Sequence, residues 1–125
     1  MHSDQAPGSA VAVAEAYLQA VYRGDTAALA ALFDVHAQVY GEIDGRPYHK
    51  PIADYIAGVG ARQSPQALGE PYRMRVLALD LQDGIAVAKL HSPMLGFNYM
   101  LYLTLRRGGE GWLIVNKTFV HRSVE

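Results

Sequence analysis

Most of the chemistry open to this chain rests on its histidines, its eight tyrosines, and a few polar residues set in apolar strands. His91, near the rim of a strand, offers a neutral imidazole as a general base at pH 7, and His49, in Tyr48-His49-Lys50, offers a second. A surface or interface histidine is the competing account of each. His36, His49, His91 and His121 form no His-x-His or His-x-x-x-His pair, and no acid stands at ligand spacing on the same strand. No metal site is therefore expected. Asn116 lies in the run Trp112-Leu113-Ile114-Val115-Asn116-Lys117. If Trp112 and Ile114 face the core, a period of two sends Asn116 there too. It must then find a ligand, a neighbouring strand or a buried water. Tyr99 shares the candidate inward parity with Phe97 and Leu101 and could line the same cavity. Lys89 and Lys117 each interrupt an apolar parity, a pattern of amines that snorkel at an edge or pair across an interface. Both are read as rim or dimer-face residues.

Composition narrows the field. The chain has 125 residues, a formal net charge of -1 and no cysteine, so disulfides, thiolate zinc sites and cysteine nucleophiles are excluded. No basic stripe suggests a nucleic-acid partner, and no apolar stretch reaches the roughly 20 residues of a membrane span. The first residues lack a charged and then apolar leader pattern, and a cytoplasmic location is the expectation. No Ser-His-Asp order, Walker loop, dinucleotide fingerprint or zinc motif occurs, and no cofactor is expected. Gly108-Gly109-Glu110-Gly111 reads as a hairpin turn, since no helix follows it to cradle a phosphate.

The elements that must position these residues are legible in order. Residues 1–8 read as a flexible tail and 9–125 as a single domain. Ser9 can cap a helix whose stripe is Ala10, Val13, Ala14, Tyr17, Leu18 and Val21. Gly24 can end that helix in a left-handed conformation and Asp25 can cap the next, over 26–33. Arg23-Gly24-Asp25 spells an adhesion motif, but one helix stopping and another starting accounts for it. A strand near 37–43, an Asp44-Gly45 type I′ turn and a strand at 46–49 follow. Pro51 suits the first turn of a third helix with Ile52, Tyr55, Ile56 and Val59 buried, and 61–70 is a polar connection. From Tyr72 onward come four long strands, apolar in both parities, with turns at Asp83-Gly84, 93–96 and 108–111. Such a sheet wants two covers, the chain's own helices on one side and a second subunit on the other. The order ααββαββββ is that of an α+β domain with three helices on one face of a curved, mainly antiparallel sheet.

This order and several local signatures resemble the nuclear transport factor 2-like superfamily, which has a cone-shaped, cystatin-like fold. Tyr17, Gly24-Asp25, Leu29, Phe33 and Ala37 look like its first two helices. Residues 111–119, Gly-Trp-Leu-Ile-Val-Asn-Lys-Thr-Phe, look like the closing strand of its lumazine-binding-like branch, with Phe97, Leu101 and Leu103 on the strand before it. The superfamily also includes ketosteroid isomerase and SnoaL-like cyclases. The resemblance implies a cone that admits a ligand between helices and sheet, and a homodimer through the outer sheet face. It also makes Tyr17 similar to the helix-1 phenol that donates to a developing enolate oxygen in ketosteroid isomerase. A core tyrosine filling the helix stripe is the alternative.

The carboxylates of that isomerase are missing. The matching strand, Ala37-Gln38-Val39-Tyr40-Gly41, holds no acid, and no Asp or Glu occurs between Asp83 and Glu110. A paired-carboxylate mechanism is thereby disfavoured. The reading adopted is a protein that binds a small organic ligand in an apolar pocket lined by Tyr17, Tyr40, Tyr55, Phe97, Tyr99, Trp112 and Asn116. One alternative is an isomerase, dehydratase or cyclase using Tyr17 with His49 or His91 as base. Another is a non-enzymatic dimeric interaction module with a filled cone.

Overall fold

Helix α1, Ala10–Arg23, starts where Ser9 Oγ accepts the Ala12 backbone N–H at 3.2 Å, in a computed structural model that describes residues 9–122. The tail expected at 1–8 lies outside those residues. Gly24, at φ 68°, closes α1 by donating its N–H to the Ala20 and Val21 carbonyls. Asp25 then caps α2, Thr26–Leu32, accepting the Ala28 N–H at 3.0 Å. Strand β1, Phe33–Ile43, follows without a break and so begins earlier than the expected 37. Phe33 is already extended, at φ -110° and ψ 144°, because its ring is buried edge-on to Tyr17 and its backbone pairs with Ile114. Asp44 and Gly45, at φ 51° and 83°, make the expected tight turn into β2, Arg46–Pro51. Pro51 ends that strand immediately before α3, Ile52–Ala61, rather than entering the helix.

The remaining strands are β3, Arg75–Gln82, β4, Ile85–Met94, β5, Phe97–Gly108, and β6, Gly111–His121. Strand β3 starts at Arg75 rather than Tyr72. Tyr72 instead packs edge-on against Tyr22, whose hydroxyl donates to the Glu70 carbonyl at 2.6 Å. The turn between β4 and β5 holds Leu95 at φ 54°, uncommon for a residue with a side chain, and the Glu70 carboxylate accepts the Leu95 N–H at 3.0 Å. The six strands form one sheet in the order β2-β1-β6-β5-β4-β3. Every neighbouring pair is antiparallel except β1 and β6. The three helices cover one face of this sheet, and the architecture is the α+β cone expected from the sequence.

The inner face buries Val39, Ala88, Leu90, Leu101, Leu103, Leu105 and Ile114 against Tyr17, Leu18, Leu29 and Val59 of the helices. The outer face leaves Tyr40, Ile85, Val87 and Tyr102 exposed, so apolar residues do occupy both faces. One irregularity changes what the inner face carries. Leu105 pairs with Ile114, but Thr104 pairs with Asn116, so Val115 is an extra residue in β6. A bulge of this kind shifts the alternation by one. Ile114 points inward before it, and Lys117, Phe119 and His121 are the buried residues after it.

Phe119 also explains a glycine. Gly41 pairs with Phe119 across the parallel β1–β6 seam, and a Cβ at Gly41 would fall on the Phe119 ring. Overpacking of this kind costs about 1–3 kcal/mol. Gly41→Ala is expected to lower stability by about that amount in chemical denaturation, and Phe119→Leu in the same chain to recover part of it.

Candidate functional site

Helix periodicity and the bulge together assemble a polar cluster inside the cone. The α1 stripe directs Tyr17 inward and the α3 stripe does the same for Tyr55. Their hydroxyls lie 3.3 Å apart. Beyond the bulge, Lys117 Nζ donates to Tyr55 Oη at 2.9 Å. The ammonium is ringed by aromatic side chains, with ring centroids of Tyr55, Phe119 and Tyr17 at 4.3, 5.1 and 5.4 Å. Contacts of this type partly compensate a buried cation. Arg62, the residue that ends α3, turns its guanidinium toward the same space. Its Nε and Nη2 are the buried side-chain polar atoms without a hydrogen-bond partner among the described residues. Ile43, Tyr48, Tyr55, Arg62, Met94, Tyr99, Lys117 and Phe119 line a partly open cavity of about 90 Å³. Among the described residues no carboxylate lines it.

Burial sets the protonation of the cluster. Loss of solvent lowers the Lys117 ammonium, and the nearby Arg62 charge lowers it further, against an opposing pull from Tyr55. For Tyr55, burial raises the phenol, but Lys117, its hydrogen bonds and Arg62 outweigh this and the net shift is downward. Tyr17 is pushed well above the usual phenol value by burial and by Tyr55. Tyr17 is therefore a neutral donor, while Tyr55 and Lys117 form a pair that gives up its first proton early. Toward the mouth, a second cavity of about 490 Å³ is lined by residues including Glu70, Arg73, Met94, Phe97 and His121. Met94 lines both cavities. His121 Nδ1 accepts the Asn98 N–H at 2.9 Å, which leaves its proton on Nε2, 3.6 Å from Asp44 Oδ1.

A family model described as "Putative lumazine-binding" matches residues 7–120. The chain belongs to the Putative lumazine-binding family. Among solved structures it is similar to an NTF-2 like protein of unknown function from Silicibacter pomeroyi DSS-3, at 23% identity, covering 98% of this chain and 100% of that one with a TM-score of 0.80. It is also similar to an NTF2-like protein of unknown function from Methylobacillus flagellatus KT, at 20% identity, 98% and 96% coverage and a TM-score of 0.82. A DUF3225 family protein from Pectobacterium atrosepticum SCRI1043 aligns at 22% identity over 96% of this chain and 94% of that one, with a TM-score of 0.65. No curated protein sequence gives a significant match. These likenesses show that the chain shares the NTF2-like fold. No helix among the described residues is long and apolar enough to cross a membrane.

Within this member of the Putative lumazine-binding family, the residues singled out from sequence separate into groups. Tyr17, Tyr55 and Tyr99 meet at the inner cluster, and Phe97 stacks on Tyr99 at 5.3 Å near the mouth. Trp112 packs half-buried at the β5–β6 turn beside Arg107, away from the cavity. Tyr40 is on the outer face, stacked on His49 at 4.4 Å, and His49 Nε2 bonds Gln38 Oε1 at 2.7 Å. His91 pairs with Met100 on that same outer face and bonds Asn98 Oδ1 at 2.7 Å. Neither histidine is brought to Tyr17. Asn116 does not share the side of Ile114, because the Val115 bulge turns it outward, where Thr118 Oγ1 donates to it at 2.8 Å. Lys117, expected at a rim or dimer face, is instead buried in the cone for the same reason. Lys89 stays on the outer face. Arg62 and Tyr48 went unmarked in the sequence, since an arginine in a polar connection carries no local sign of burial. Among the described residues no cluster of metal-ligating side chains occurs.

Lys117→Met is expected to leave the domain as stable as before, or more so, because it removes a buried charge that has no carboxylate partner among the described residues. Tyr55→Phe, which strips Lys117 of its hydrogen-bond acceptor, is expected to cost about 1–3 kcal/mol. The pH dependence has a defined sign. With both folded-state values lowered, the unfolded chain holds more protons on these two groups in the window below the ordinary values of 10.5 for Lys117 and 10.0 for Tyr55, so the pair's contribution to stability rises with pH there. The raised phenols of Tyr17, Tyr48, Tyr72 and Tyr99 act in the opposite sense as pH nears 10.0, so the readout is the difference between two thermal melts: Lys117→Met should lose stability relative to the natural chain as pH climbs toward 10.0.

Proposed function

We propose that this domain binds a small organic ligand in the cone, held between α3 and the inner face of the sheet. The observation that carries this reading is the partly open pocket of about 90 Å³ on which Tyr55, Arg62, Tyr99 and Lys117 converge. Ligand sites are apolar hollows with a few well-placed polar groups, and this lining has that character. A cavity of this size corresponds to roughly three waters at about 30 Å³ each, so the buried part of the ligand has only a few heavy atoms. Catalysis by Tyr17 with His49 or His91 finds no support in this geometry, because both imidazoles are on the opposite face of the sheet. Ligand-observed NMR with a panel of small alcohols, amides, acids and amines tests the reading. Binding is expected in the natural chain and in the outer-face variant Tyr102→Ser, and loss is expected in Ile43→Phe, which fills the cavity. If no fragment binds at millimolar concentration, the filled-cone interaction module is the better account.

A homodimer through the outer sheet face is part of the same proposal, as is a cytoplasmic location. The exposed Tyr40, Val87 and Tyr102, with a groove of about 470 Å³ lined by residues including Lys89, Met100, Tyr102 and Val120, support a second copy as the cover. Light scattering at micromolar concentration is expected to give a dimer that Tyr102→Glu and Val87→Glu dissociate. A monomeric natural chain would contradict it.

A further inference from the structure

The inner cavity carries a charge imbalance that specifies its ligand further. Lys117 and Arg62 are two cationic side chains facing one small, partly open pocket, and among the described residues no Asp or Glu lines it. The acids near the mouth are engaged elsewhere. Glu70 accepts the Leu95 N–H, and Asp44 lies 3.6 Å from His121 Nε2. Among the described residues Lys117 has one hydrogen-bond partner, a phenol that is itself shared with Tyr17. A buried ammonium carries three N–H donors, so Lys117 retains unused donors toward the cavity.

Arg62 adds geometry to the charge. Its unpartnered atoms are Nε and Nη2, which together form one lateral edge of the guanidinium. That edge presents two parallel N–H donors, the arrangement that meets both oxygens of a planar carboxylate. Buried donors left unpaired are rare in native proteins because each costs free energy, and a pair on one edge of one cation points to a shared acceptor. The rest of the wall, Ile43, Met94, Tyr99 and Phe119, is apolar or aromatic and suits a short carbon tail. Met94 borders both the inner and the mouth cavity, and its unbranched side chain can move aside to let that tail extend outward.

We propose that the cone ligand is a small organic carboxylate, its two oxygens paired with Arg62 Nε and Nη2 and one of them also accepting from Lys117 Nζ. This inference rests on the proposal that the cone binds a ligand at all. It assigns Arg62 as the orienting residue and Lys117 as the charge partner. Tyr55 positions Lys117 by holding its ammonium.

Titration calorimetry and ligand-observed NMR with propionate, propionamide and inorganic phosphate test it on the natural chain. Propionate is expected to bind at least about tenfold more tightly than its neutral isostere propionamide, a difference of about 1.4 kcal/mol. Arg62→Lys keeps the charge but removes the fork and should weaken propionate about tenfold or more, while leaving propionamide little changed. Lys117→Met should weaken propionate selectively as well, and circular dichroism establishes that each variant is folded. Equal binding of propionate and propionamide overturns the carboxylate assignment but leaves the cone as a ligand site. Phosphate binding without propionate binding also overturns it, in favour of an inorganic oxyanion. If none of the three binds, and the wider fragment panel is silent too, both this inference and the ligand-binding reading fail.

Discussion

Burying the Lys117 ammonium among aromatic rings, with a phenol and, among the described residues, no carboxylate as its partner, is the most demanding arrangement in this fold, and several elements are fixed by how it is met. An isolated buried charge costs several kcal/mol even after relaxation. Here Tyr55 from α3 accepts its hydrogen bond, Tyr17 from α1 accepts or donates to Tyr55, and Phe119 from β6 offers a ring. The chain from β6 through α3 to α1 ties the sheet to two of its three covering helices. Gly41 is part of the same solution, because only a residue without a side chain leaves room for the Phe119 ring over β1. Arg62 makes the arrangement more demanding still, since its charge opposes that of Lys117 across the cavity.

The local signals were legible in the sequence because they are decided by neighbours a few residues apart. Ser9, Gly24, Asp25 and the Asp44-Gly45 turn act as read. The inward stripe of α1 and α3 follows from period 3.6 and places Tyr17 and Tyr55 together. Three helices on one face of the sheet follow from the element order ααββαββββ. What failed was parity in β6. The Val115 bulge arises from pairing with Thr104 and Leu105, which local sequence does not record. A single slip exchanged Asn116 for Lys117 as the polar residue inside, and so changed the expected chemistry from an amide to an amine. Alternation is a relative signal, and His49 and His91 proved to stand on the outer face for want of anything in their own strands that fixes its absolute sense. The early start of β1 at Phe33 came from a tertiary contact with Tyr17, again invisible to helix periodicity.

The missing sheet acids take on a second meaning in the folded molecule. From sequence, the stretch without Asp or Glu between Asp83 and Glu110 weighed against the paired-carboxylate chemistry of a related enzyme. In the cone, no carboxylate among the described residues lines the inner cavity that Lys117 and Arg62 face. The fold hosts many activities, and membership in the Putative lumazine-binding family therefore describes the scaffold more than the reaction. The chemistry open to this chain is set by the polar lining. Its cationic residues come from a strand after a bulge and from the end of a helix, while the hydroxyls come from helix stripes and strand faces.

The central claim is that Lys117 is a buried, desolvated amine facing a small pocket and not a rim residue. Titration of the lysine side chains by carbon-13 NMR at Cε tests it directly, because the chain contains only Lys50, Lys89 and Lys117, and Lys117→Met assigns the signal. The account predicts that Lys117 titrates below the ordinary lysine value of 10.5 and moves back up when propionate is added. A Lys117 signal that titrates at the ordinary value and ignores propionate would contradict it.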